Sequence, residues 1–356
     1  MIKFKNQTWL ALACWILIIR TFVWIYLKSI GGLGLGNGND SNYYHLAATG
    51  EVDVFTSAWP IVLRGLSQAG LYDRDLVSLV LFIIASVLLP VLFLKIIDGN
   101  STPLKKDAKW ISVFLILTYP TIFFFSLDLY RDIVIYTLSV ISFLLAKSII
   151  ETRYTFRRIL LASIYVVVSY VCFLFRDYFG VAIISTLVTF YLYANSSKYF
   201  KSWVIVYFTC LILLLLSGAL DQLLIYRGVD GFEQGGATFG IGLYGKDPLT
   251  FLALFLLSFF YQMFGLYLVN FPTVFAFFSE SIFFIFALVY VVKNRAYMDS
   301  HSKYLMVFFV TYSTIWVLGN DNLGTAVRLR VPSYLAIYAI AFIIQYRKNN
   351  LIRTPN

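Results

Sequence analysis

The sequence predicts an all-α, polytopic helical membrane protein. Three observations carry that expectation: a 60% hydrophobic share, a 13% charged share, and apolar runs that recur from end to end of 356 residues. A soluble globular domain has an apolar share nearer one half and a charged share nearer one quarter. The mean hydropathy of +0.80 points the same way. Each run is long enough, or nearly so, to cross a hydrocarbon core of roughly 30 Å as a helix.

Eleven runs stand out, at 8–28, 75–97, 110–127, 132–150, 159–175, 178–194, 202–220, 248–270, 274–292, 304–319 and 331–346. Basic residues favour the cytoplasmic side of a membrane protein. Lys3 and Lys5, then Lys105, Lys106 and Lys109, then Arg153, Arg157 and Arg158, then Lys198 and Lys201 mark alternate connections as internal, with the amino terminus inside. The same rule places Lys293, Arg295 and Lys303, and the tail with Arg347, Lys348 and Arg353, inside as well. Parity then requires one run not to cross. The 248–292 stretch is too short for three crossings at roughly 20 residues each, so 248–270 is expected to be re-entrant or interfacial, which leaves about ten spanning helices. The whole chain, 1–356, reads as one transmembrane domain with long external segments at about 29–74 and 221–247 and short external turns at 128–132, 176–177 and 320–330.

The first run resembles a secretion signal, and Ala11–Cys14 resembles a lipoprotein cleavage site. Too few apolar residues precede Cys14 to form a signal core, so the run is expected to be an uncleaved span. The net charge of +10 lies in short clusters between apolar runs rather than on one basic face, which argues against nucleic acid as a partner. Cys14, Cys172 and Cys210 all fall inside apolar runs without a ligand spacing, so neither a disulfide framework nor a metal site is expected, and no cofactor motif is present. The glycines before Asp40 lack the GKS/T ending of a phosphate-cradling loop.

Arginines in external connections oppose the orientation bias unless something there requires them. They occur as Arg131 with Asp132, Arg176 with Asp177, Arg227, and Arg328 with Arg330. Guanidinium grips phosphate oxygens in a fork and stays charged at any working pH, so such a set near the lipid boundary suits a pyrophosphate head group. Pro332 suggests that Arg328 and Arg330 lie on an extended stretch entering the last span, where both would share one side. Pairing of each Arg with its neighbouring Asp, or anchoring at lipid head groups, is the alternative role. Asp40, Tyr43, Tyr44 and His45 fall within six positions of the first external segment, and Asp40 or His45 is a candidate general base, unless Asp40 merely caps a short helix. Glu233, in the second external segment, is a further candidate acid or base. The stretch 58–72 alternates at helical spacing and suits an interfacial helix.

In this order, "NDSNYYHLAA", "PTIFFFSLDLYRDIVIY", "FLFRDYFG" and "NLGTAVRLRVPSYL" resemble the O-antigen polymerase (Wzy-type) group of bacterial surface-polysaccharide polymerases. The resemblance implies an inner-membrane enzyme that moves a growing glycan from one undecaprenyl pyrophosphate carrier to the terminal sugar of another lipid-linked oligosaccharide, without a metal. It implies that Arg131, Arg176, Arg328 and Arg330 hold the pyrophosphates, and that a chain-length regulator protein and membrane lipids are partners. The short final external turn departs from that pattern by leaving little room for sugar recognition. Two other classes compete. A membrane glycosyltransferase using a polyprenyl-phosphate sugar would make Asp40 catalytic, although only Glu51 and Asp53 follow it in the first segment. A lipid-linked glycan transporter should show pseudo-symmetric halves, which are not visible here; a channel or structural role for the external charges is the remaining class.

Overall fold

The computed structural model describes residues 6–30, 40–53, 55, 57–98, 106–194, 200–229 and 238–351. Among these the regular structure is helical, and extended pairing is confined to an isolated antiparallel bridge between Thr238 and Asn322. Two compact units divide the chain: Met1–Lys147 with Phe156–Asp177, and Ser148–Thr155 with Tyr178–Asn356.

The first unit is built on α1 (Asn6–Ser29), α2 (Asp40–Thr49), α3 (Ala58–Gln68) and α4 (Arg74–Ile83), which passes through a π-helical turn (Ile84–Leu88) into α5 (Leu89–Ile97). Then come α6 (Lys106–Leu117), α7 (Pro120–Phe125), α8 (Asp132–Glu151) and α9 (Thr155–Phe175). The 110–127 run is broken rather than continuous, because Pro120 opens a new helix after Tyr119. That break frees carbonyls in an apolar setting, where each must find a donor. Arg20 of α1 supplies it: the buried guanidinium donates to the Leu117 carbonyl at 3.1 Å and Ser126 Oγ at 3.4 Å, and lies over the Phe123 ring at 4.9 Å. At one end of the unit Lys147 Nζ donates to the carbonyls of Lys95, Ile96 and Asp98, closing the carboxyl end of α5. At the other end a Lys28–Asp75 ion pair of 2.8 Å joins the close of α1 to the opening of α4.

The second unit contains α10 (Asp177–Thr189), extended by a π-helical stretch (Phe190–Ala194), α11 (Phe200–Leu216), α12 (Asp221–Val229), α13 (Pro248–Phe264) and α14 (Phe271–Ala276). A π-turn (Phe277–Ser281) leads into α15 (Ile282–Lys293), followed by a 3-10 turn (Arg295–Tyr297), α16 (Ser300–Gly319) and α17 (Leu323–Leu351). α16 and α17 pair along their length and form the core, with α13 and α15 against them. Asp247 caps α13 by accepting from the Leu249 and Thr250 amides, and Gly265 ends it in the left-handed region at φ +66°.

Among the described residues six helices are long and apolar enough to cross a membrane, in the windows Gln7–Ser29, Arg74–Ile97, Asp132–Glu151, Thr155–Phe175, Thr273–Lys293 and Leu323–Asn349. The pair Ile205–Leu216 and Asp221–Arg227, bent by 83°, is either a broken span or a re-entrant loop. Of the other expected runs, three are shorter apolar helices, Ala108–Leu117, Asp177–Leu192 and Pro248–Phe264, while 304–319 falls in the 20-residue α16, which is not among these candidate spans. The protein is therefore a membrane-embedded helical one. α1 and α9 leave most of their windows uncovered, and with mostly apolar side chains they suit contact with lipid. α17, by contrast, is 78% buried over its window.

One local expectation fails. Arg328 and Arg330 do not lie on an extended stretch: α17 is already helical from Leu323, capped by Asn322 Oδ1 accepting from the Thr325 amide at 3.0 Å, and Pro332 sits inside it. A Pro within a membrane helix is tolerated because packing re-satisfies the freed carbonyl. Two residues on a helix diverge by about 200°, so the guanidiniums part company: Arg328 is half-buried and Arg330 is buried at 1% exposure.

Candidate functional site

In the first unit the polar residues gather around α2. Arg74, the first residue of α4, grips Asp128 bidentately, with Nε to Oδ1 at 3.1 Å and Nη2 to Oδ2 at 2.7 Å. The same Nη2 donates to Ser41 Oγ and Asn42 Oδ1, both at 3.0 Å, and so ties the first turn of α2 to the α7–α8 connection. Burial pushes the Asp128 carboxyl up, but the hydrogen bonds from Arg74, Ser41 and the Leu129 amide, with the Arg74 charge, together outweigh it and hold the group below the usual carboxylate range. Trp59 of α3 donates its indole N–H to the Leu129 carbonyl at 2.8 Å, fixing that connection from a second side. The turn is thus rigidly placed where it delivers Arg131 and Asp132 to the start of α8.

The two Arg-Asp motifs interlock. Arg176 Nη2 lies 3.5 Å from Asp132 Oδ1, both side chains being buried, and Arg131 Nη1 donates to the carbonyl of Phe175 at 3.2 Å. Asp177 instead is exposed in the first turn of α10. Tyr44 is buried beneath this group. Its hydroxyl is held above the ordinary phenol range by burial first, with Arg131 and Arg176 drawing it down and Asp40 and Asp132 adding to the rise. It remains a protonated donor at neutral pH. Tyr43 is half-buried and packs its ring on Tyr44 at 5.5 Å. Arg131 is half-buried, and among the described residues no carboxylate stands within ion-pair distance of it.

His45 Nδ1 lies 2.8 Å from the Tyr72 hydroxyl, and the two rings stack at 5.9 Å. Burial pushes the Tyr72 phenol up to about 12, so it too stays protonated near neutrality. Only the tautomer in which His45 Nδ1–H donates to the Tyr72 oxygen leaves Nε2 with a lone pair to accept a proton. Asp40 opens α2 and is half-buried.

The arginines of the second unit are engaged differently. Arg227 donates to the carbonyls of Ile241 and Val317, to Ser258 Oγ, and to Asp321 Oδ1 at 2.7 Å, while Asp321 Oδ2 accepts from the Gly240 and Ile241 amides. Gln262 joins this knot through the Asn320 carbonyl at 2.8 Å and the Asn320 amide at 2.6 Å. The knot thus ties the chain at Ile241 to Ser258 and Gln262 of α13. Arg330 pairs with Glu280 of the π-turn at 2.9 Å, both side chains 1% exposed. Arg227 and Arg330 therefore hold the fold together with buried carboxylates, whereas Arg328, with Thr325 Oγ1 at 3.5 Å, keeps a half-buried guanidinium. Glu233 lies outside the described residues.

No family model, curated protein or solved structure matches this chain. Among the described residues, no three His, Cys, Asp or Glu side chains gather closely enough to hold a metal ion. Asp128, Arg74, Asp321 and Glu280 are the structurally decisive partners absent from the sequence-based candidates. Glu280 had a signal, a carboxylate in the middle of an apolar run; Asp128 had one too, inside the same motif as Arg131.

The first unit thus sets a buried phenol donor, Tyr44, in the field of Arg131 and Asp40, with His45 next to it in sequence on the same short helix. The arrangement can hold an anionic oxygen and accept a proton from a hydroxyl beside it.

Proposed function

We propose that this chain is a polymerase of lipid-linked oligosaccharide repeat units, of the O-antigen or a similar surface polysaccharide, in a bacterial inner membrane. In this reading ten helices cross, α13 does not, both termini are cytoplasmic, and the α2 cluster faces the periplasm. The substrates are undecaprenyl-pyrophosphate-linked oligosaccharides, and a chain-length regulator is a partner.

The observation that carries the reading is Arg131. Tyr44 feels the charges of Arg131 and Asp40 together, yet among the described residues no carboxylate pairs with Arg131. In the reaction the acceptor sugar's hydroxyl oxygen bonds to the anomeric carbon of the growing glycan. The bond from that carbon to the carrier's pyrophosphate oxygen breaks, its electron pair leaving with the oxygen. Arg131 stabilises the departing charge, and Tyr44 donates a hydrogen bond to it. Asp40 or His45 takes the hydroxyl proton. Arg176, through Asp132, acts as a positioning residue for the α8–α9 ends.

The second reading is a glycosyltransferase with a polyprenyl-phosphate sugar donor. It is favoured by the first unit's ionic pattern, in which Arg74 and Arg176 are each matched by a carboxylate, so that the cluster offers a single guanidinium for a single phosphate. Purified protein mixed with a synthetic undecaprenyl pyrophosphate oligosaccharide separates the two. A ladder of whole repeat units in the products supports the polymerase, while addition of single sugars from a polyprenyl-phosphate donor supports the second reading.

A further inference from the structure

Beyond Gly265, residues 265–269 run without helical structure before Asn270 caps α14. Side chains alternate along such a stretch: Leu266 and Leu268 are exposed, while Tyr267 turns onto Phe239 with ring centroids 5.0 Å apart at 70°. Tyr261, from the last turns of α13, completes a trio, 5.6 Å from Tyr267 and 6.2 Å from Phe239. Phe239 is the buried base of the trio, fixed by its amide donating to the Asp321 carbonyl at 2.9 Å and by the bridge from Thr238 to Asn322. The two tyrosines are half-buried.

The polar tips around these rings are left open. Among the described residues neither the Tyr261 nor the Tyr267 hydroxyl has a protein hydrogen-bond partner, and neither oxygen is among the buried unpaired atoms. Asn322 uses its Oδ1 to cap α17, while its amide nitrogen donates to no described group. Among the described residues, the charges that this backbone meets, Arg227 and Asp321, are buried against each other. A platform of rings bordered by uncommitted hydroxyl and amide groups, with no net charge, matches a pyranose, which has an apolar C–H face rimmed by hydroxyls.

We propose that Phe239, Tyr261, Tyr267 and Asn322 form a subsite for a neutral sugar ring of a glycan chain. The subsite rests on the polymerase reading only in that the bound glycan would be its donor or acceptor. It supplies the sugar recognition for which the short α16–α17 turn alone leaves no room.

The test uses the full chain in nanodiscs, titrated with a panel of lipid-free neutral oligosaccharides built from glucose, galactose, mannose, rhamnose or N-acetylglucosamine, and read by saturation-transfer NMR. At least one class should bind, and Tyr267→Ala should weaken it about tenfold. Asn322→Asp keeps the cap on α17 but removes the amide donor, and should weaken it about fivefold. Absence of binding by every class, or affinities unchanged in both variants, overturns the subsite. The repeat-unit ladder assay keeps the two proposals apart. A wild-type ladder with unaltered sugar affinity in the variants removes the subsite and leaves the polymerase, while variant-sensitive sugar binding without any ladder does the reverse.

Discussion

Arg176 pairs with Asp132, 44 residues away in the chain, at 3.5 Å, so that the two Arg-Asp motifs at the ends of α8 and α9 are crossed rather than each closed on itself. Removing one partner of a buried pair strands the other charge, which costs about 3–5 kcal/mol, whereas replacing both by apolar residues is far milder. Asp132→Ala should therefore lower thermal stability in detergent sharply, and the double variant Asp132→Leu with Arg176→Leu should recover part of the loss. A single variant as stable as the wild type would show that the crossed pair does not hold the motifs.

The Arg74–Asp128 clamp carries a pH signature. Because the folded carboxyl lies below its ordinary range, its contribution is fully present above the unfolded value of about 4. It is lost as pH falls through the lower folded value. Thermal midpoints of the wild type should decline below about pH 4, while Asp128→Asn should start lower at neutral pH and show a shallower decline.

Gly265 and Gly240 test the close approach at the end of α13. Both have positive φ, +66° and +70°. At Gly265 a Cβ would meet Ser281 Oγ at 2.7 Å and Arg330 Nη1 at 2.8 Å, but at Gly240 nothing lies within 4 Å. Gly240→Ala should cost only the left-handed penalty of about 1–2 kcal/mol. Gly265→Ala should cost clearly more, as measured by thermal unfolding, because the Arg330–Glu280 pair must shift as well.

Arg330 and Arg131 should separate stability from activity. Arg330→Gln leaves Glu280 buried without its cation and should destabilise by about 3–5 kcal/mol. Arg131→Ala removes a single charge-assisted hydrogen bond, worth about 1.5–3 kcal/mol, and should leave the protein folded by size-exclusion chromatography, with a smaller drop in thermal midpoint than Arg330→Gln, while strongly reducing turnover.

The helical membrane class was legible because composition and run length are dictated by the bilayer itself. Charge parity singled out 248–270 as a run that does not cross, and the structure has there a shorter apolar helix, Pro248–Phe264. What the sequence hid was which arginine faces which carboxylate. Arg131, Arg176, Arg227 and Arg330 look alike in a linear reading, yet Asp132, Asp321 and Glu280 take up the last three through contacts 44, 94 and 50 residues apart. Periodicity cannot report such long-range pairings. The helix through Arg328 and Arg330 was missed because Pro332 signals a boundary in water, but not inside a packed membrane helix.

The most direct test compares wild type, Arg131→Ala and Arg131→Lys in proteoliposomes supplied with a synthetic undecaprenyl pyrophosphate oligosaccharide, after folding has been matched. The account predicts a ladder of repeat units with the wild type, a rate reduced by about 100-fold or more with Arg131→Ala, and partial recovery with Arg131→Lys. A wild type that forms no ladder, or a folded Arg131→Ala that polymerises at the wild-type rate, would contradict it.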